Sequence, residues 1–108
     1  MVRVIRIPNA ARWKQDIQLD GRLYTLTGWY NTRMETWFAD LGLSDGEVIL
    51  KGLRLVLNWP LFYGSNYDPR LPPGNLYVVS PSGQQVSDPG RTDFVDGNVA
   101  LVYVGNED

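Results

Sequence analysis

Residues 20–41 read DGRLYTLTGWYNTRMETWFADL, and the fold turns on this stretch. Asp20-Gly21 is a strong hairpin signal, because both central residues of a type I′ turn need positive φ. Ahead of it, residues 13–19 alternate: Trp13, Gln15, Ile17 and Leu19 fall on one side, Lys14, Asp16 and Gln18 on the other. That is the period of a strand. Residues 22–30 continue as a second strand, residues 31–34 as a four-residue turn, and residues 36–41 as a third strand. The two-residue turn pairs Leu19 with Arg22, Ile17 with Tyr24, and Trp13 with Gly28. The four-residue turn pairs Tyr30 with Glu35, Gly28 with Trp37, and Leu26 with Ala39. Both registers collect Trp13, Ile17, Leu19, Tyr24, Leu26, Trp37, Ala39 and Leu41 on one face, where a one-residue slip would scatter them. Gly28 is then expected between Trp13 and Trp37, a strand glycine covered by indoles. The opposite face carries Leu23, Thr25, Thr27, Trp29, Thr36 and Phe38, and is half apolar.

Outward from this meander the strand signals continue. Residues 2–7 form a short β-type run stopped by Pro8-Asn9. Residues 44–46 form a turn before a strand at 48–50, and LRLVL at residues 53–57 is a buried-strand candidate. Residues 76–80 and 99–104 read as strands, with Asp96-Gly97-Asn98 as a hairpin turn into the last. Strands at this spacing predict an all-β, antiparallel barrel or sandwich. With 108 residues, one domain spanning residues 1–108 is the expectation. Residues 58–74, NWPLFYGSNYDPRLPPG, form one long loop holding four of the seven prolines and four aromatics. Loops of that length are commonly functional or covered by a neighbour; the other reading is a loop folded back over an open barrel end. Pro60 is suited to open a single helical turn at residues 61–63.

Composition narrows the function. The chain has no cysteine and no histidine, which removes disulfides, thiolates, the commonest general base and the commonest metal ligand. The serines lie in or beside turns with no histidine to activate them. Asp45 and Asp96 precede glycines and read as turn formers, not as a catalytic pair. Asp93, Asp96 and Asn98 lack the spacing of a calcium loop. The net charge is −2, with basic residues scattered singly, so no nucleic-acid stripe is evident. The N-terminus lacks the apolar core of a signal peptide, and no apolar run reaches membrane-spanning length. The expectation is a soluble, cytosolically made, non-enzymatic protein without cofactor or metal. Trp29, Trp59 and Tyr67 are the platform candidates if the chain is instead a small β-barrel binding oligosaccharide or single-stranded nucleic acid.

The ordered set of segments adds a resemblance. Ile5-Arg6-Ile7-Pro8, Trp29-Tyr30-Asn31 and Trp37-Phe38-Ala39-Asp40-Leu41 come first. Lys51-Gly52, the run LPPGNLYVV at residues 71–79 and Val99-Ala100-Leu101-Val102-Tyr103-Val104 follow. Together they resemble the small baseplate plug proteins of contractile-tailed phages, a family known from a cyanophage baseplate. Trp29-Tyr30-Asn31 departs slightly from the adjacent Trp-Asn expected there. The resemblance implies a virion structural protein at the distal end of the tail, assembled in the host cytoplasm. It implies hub, tail tube and wedge proteins as partners, and a symmetric multimer, a trimer by analogy with the hub. It implies neither catalytic residues nor any need for nucleic acid or membrane. The residues expected to meet partners are Trp29 and Phe38 on the second face of the meander, and Trp59, Leu61, Phe62, Tyr63, Tyr67, Arg70 and Leu71 in the long loop.

Overall fold

A computed structural model describes residues 2–62, 70–84 and 87–105. Its elements are β1 (Val2–Ile5), β2 (Arg12–Leu19), β3 (Arg22–Asn31), β4 (Thr36–Leu43), β5 (Val48–Arg54), β6 (Asn75–Val79), α1 (Asp93–Asp96) and β7 (Ala100–Val104). They form two antiparallel sheets, of order β2-β3-β4-β5 and β1-β7-β6. The all-β expectation holds.

The Asp20-Gly21 turn sets the register of β2 on β3 as the sequence predicts, with Leu19 opposite Arg22, Ile17 opposite Tyr24 and Trp13 opposite Gly28. Both turn residues have positive φ. The second turn sits one residue later than expected. Asn31 pairs with Thr36, so residues 32–35 make the turn, and every pair between β3 and β4 moves by two residues: Tyr30 faces Trp37, Gly28 faces Ala39, and Leu26 faces Leu41. Asn31 carries the cause, since its Oδ1 accepts the Met34 N–H at 3.0 Å, and Glu35 takes the left-handed conformation at φ 52°. An even shift leaves side-chain parity intact. The core face therefore survives, and Trp13, Ile17, Leu19, Tyr24, Leu26, Trp37, Ala39 and Leu41 are all buried. Gly28 is covered by Trp13: a Cβ built there would lie 2.3 Å from Trp13 Cζ2. Trp37 lies two pairs further along and packs edge-on against Tyr30.

β5 merges part of two expected strands. Gly52, at φ 66°, carries the chain through irregular pairing with β4, and the strand ends at Arg54. Leu55 then donates its N–H to the Trp37 carbonyl, and Leu57 crosses to a parallel bridge with Val78. This crossing segment joins the sheets on one side, and a single hydrophobic cluster draws on both. It holds Tyr24, Leu26 and Trp37 from the larger sheet and Ile5, Leu76, Val78, Leu101 and Tyr103 from the smaller.

The sheets do not close into a barrel. No backbone ladder joins β1 to β2. Two side chains span that corner instead: Arg3 Nη1 donates to the Gln18 carbonyl and Gln15 Nε2 to the Arg6 carbonyl, each at 3.0 Å. Long side chains reach where the backbones do not meet. A further tie crosses the core. The Tyr103 hydroxyl donates to Asp20 Oδ2 at 2.5 Å and accepts the Gly74 N–H at 2.8 Å. Burial, then the Asp20 hydrogen bond, raise the Tyr103 pKa far above its ordinary value. Asp20 thus serves both the turn and the seam between sheets. Asp96-Gly97-Asn98 is not a hairpin turn: Asp96 ends α1, and Gly97 caps it at φ 82°.

Candidate interaction surfaces

The second face of the meander is organised as cross-strand rows. Arg12 pairs with Trp29, Trp29 with Phe38, and Phe38 with Arg54, so one row runs across all four strands. The Trp29 and Phe38 rings stack at 6.0 Å between centroids and 21° between planes. The Arg12 guanidinium lies 5.9 Å from the Trp29 ring centroid, within cation–π range. Arg54 Nη2 is 3.8 Å from Asp88 Oδ2, a loose contact between half-exposed groups. Further along the face two carboxylates are engaged within the chain. Thr25 donates to Asp16 Oδ1 at 2.7 Å, and Asp40 Oδ1 accepts the Gly52 N–H at 2.8 Å. Trp29 and Phe38 are half-buried. Thr36, assigned to this face by alternation, is buried.

The long loop divides. Asn58 donates its N–H to the Val78 carbonyl and Leu61 to the Leu76 carbonyl, which lays the loop's first turn along the outer edge of β6. The Phe62 N–H goes to Asn75 Oδ1. Leu61, Phe62 and Leu71 are buried within the core cluster, so this chain already covers them. Trp59 remains 51% exposed. Arg70 forms an ion pair with Glu47, and its carbonyl accepts the Tyr24 hydroxyl at 2.8 Å. Tyr63 and Tyr67 lie outside the described residues, as does the end of the helical turn expected at 61–63.

A third surface did not emerge from the sequence reading. The outer face of the smaller sheet carries Val2 and Val4 from β1, Tyr77 and Val79 from β6, and Ala100, Val102 and Val104 from β7. Val2 is 68% and Val4 65% exposed. Asn75, at one end, is the polar exception. A signal for it was present. Residues 76–79 and 99–104 are unbroken apolar runs, and an unbroken run means a strand with two apolar faces, not one. Beside this face, a groove of about 520 Å³ runs between residues 4–9 and the segment holding Phe94, Val95, Val99 and Ala100.

Two further acidic groups are engaged locally. Asp93 accepts the Gly90 N–H at 2.6 Å and the Asn98 amide at 3.1 Å, which organises the chain around α1. Asp45 Oδ1 accepts the Glu47 N–H within its turn. Among the described residues no group of acidic side chains converges as a metal-ligand set. The chemistry these surfaces offer is apolar and aromatic contact with cationic margins. Over residues 2–107 the chain matches the family described as cyanophage baseplate Pam3 plug gp18. Comparison with curated proteins finds no match.

Proposed function

This chain belongs to the baseplate plug family, which makes it a structural component of a phage tail baseplate that assembles with other baseplate components, and from that premise we propose how it works. It is a non-enzymatic packing element of a contractile tail, seated with the hub and tube proteins, assembled in the host cytoplasm and repeated symmetrically around the tail axis. Trp29, Phe38, Trp59 and Arg70 contribute to its contacts with neighbours.

One observation carries this reading: the outer face of β1-β7-β6 is apolar on every strand, with Val2 and Val4 mostly in solvent. Val102, at the centre of the face, is already buried, and Val2, Val4 and Val104 leave the β1 side of it exposed; exposed apolar groups clustered in this way mark a surface that is covered in use. The alternative, an oligosaccharide- or nucleic-acid-binding module, would use Trp29 and Trp59 as an open stacking platform; Trp29 is instead half-buried and already stacked on Phe38.

The test is complementation. Phage lacking this gene are supplied with wild-type or Val4→Glu chain, and purified tails are analysed by mass spectrometry and electron microscopy. Val4 is exposed, so Val4→Glu leaves the isolated fold intact, which circular dichroism checks. The expected result is wild-type chain in the baseplate and loss of Val4→Glu from it. Normal incorporation of Val4→Glu, or infectious tails without the chain, would refute the reading.

A further inference from the structure

We propose that the row Arg12–Trp29–Phe38–Arg54 is the docking site for an acidic surface of a neighbouring baseplate protein, one that presents an apolar group flanked by carboxylates. The inference rests on the assembly reading above and names one contact within it. Three strand spacings separate the ends of the row, about 14 Å. Its centre is a stacked aromatic pair and both its ends are guanidinium groups. Trp and Arg are the residues that most often dominate binding energy at protein interfaces.

Charge selects the partner. The whole chain carries a net charge of −2, yet this row has no carboxylate in it. Arg12 makes no ion pair among the described residues and is held against the Trp29 ring. Lys14 lies on the same face of β2, two residues along, in a row whose β4 member is Asp40, so that row adds no net charge. Asp88 approaches Arg54 at 3.8 Å while its other oxygen accepts the Leu57 N–H, so Arg54 is only loosely satisfied and can take a second carboxylate. A second copy of this chain does not fit, because a matching row would set arginine against arginine. Nucleic acid fits less well. A phosphate backbone needs a continuing basic track, and the rows beyond this one carry Asp40 and then Asp16.

The experiment uses tails from phage lacking this gene and purified full-length chain, with binding measured by co-sedimentation at low and high salt. Arg12→Glu/Arg54→Glu should weaken binding by about 30-fold or more, since like charges then face each other where opposite charges were paired. Arg12→Lys/Arg54→Lys should lose only a few-fold. Wild-type binding should fall with added salt, and Arg12→Gln/Arg54→Gln should bind more weakly with a flatter salt dependence. Melting temperatures of all variants control for folding. Wild-type affinity for Arg12→Glu/Arg54→Glu, with Val4→Glu still failing, would overturn this inference and leave the assembly reading standing. Failure of wild-type chain to bind the tails at all would overturn both. A parallel tryptophan-fluorescence titration with poly-L-glutamate and with a twelve-residue oligothymidylate tests the partner's chemistry. Tighter binding of the oligothymidylate would overturn the assignment to an acidic protein.

Discussion

Gly28 offers the sharpest test of how this sheet is packed. A methyl group added there would lie 2.3, 2.5 and 2.8 Å from Cζ2, Cε2 and Cη2 of Trp13. All three distances are well inside van der Waals contact, and the obstacle is a rigid ring that is itself buried. Gly28→Ala must therefore push the indole off the strand or bend β2 away from β3. Overpacking of this kind costs about 1–3 kcal/mol, and full eviction of the ring approaches the about 3–5 kcal/mol of a Trp truncation. The φ of Gly28 is not in the left-handed region, so alanine suits the backbone. With the ring removed by Trp13→Val, the same Gly28→Ala change should stabilise by about 0.5–1 kcal/mol, because glycine inside a strand is entropically unfavourable. The sign of the effect reverses with the background, giving a coupling energy of about 1.5–4 kcal/mol. Urea unfolding followed by far-ultraviolet circular dichroism measures all four corners of the cycle without relying on tryptophan emission. Equal costs of Gly28→Ala in both backgrounds would refute the account of this glycine.

Three further outcomes follow from the same geometry. Tyr103→Phe deprives the Gly74 N–H and the Asp20 carboxylate of a shared partner and should destabilise by about 2–4 kcal/mol in urea unfolding; a change below about 0.5 kcal/mol would show that the seam is not held there. The pKa values of Tyr103 and Tyr24 are both raised above 10, burial being the largest cause for each. The folded state therefore holds their protons more tightly, and the stability they contribute is present below pH 10 and declines as pH rises above it. Thermal melts between pH 9 and 12 should show this decline, and Tyr103→Phe should shrink it. Glu35→Gly relieves a left-handed non-glycine residue at φ 52° and should raise stability by up to about 1 kcal/mol in chemical denaturation; a loss would mean that the Glu35 side chain supports the turn.

The sequence by itself determined the parts that obey local rules. Asp20-Gly21 dictated one turn and, through it, the pairs between β2 and β3 from Leu19–Arg22 to Trp13–Gly28; the structure extends the strand by one residue and adds Arg12 opposite Trp29. Alternation determined the core face of the meander, and it withstood the error in the second turn because that error was even. The ordered segments of the chain carried the family, which the match over residues 2–107 bears out. What the tertiary structure decided lies where local signals are silent or ambiguous. The Asn31 side chain, not the turn's composition, set where residues 32–35 turn. Irregular pairing around Gly52 put Arg54 opposite Phe38, and no alternation pattern can count residues through a bulge. The aromatics of the long loop looked alike in the sequence, yet Phe62 is buried and Trp59 is not. Only the positions of both sheets settle which ring finds room inside. The corner between β1 and β2 stayed open for the same reason: whether two strands meet depends on the path of everything between them.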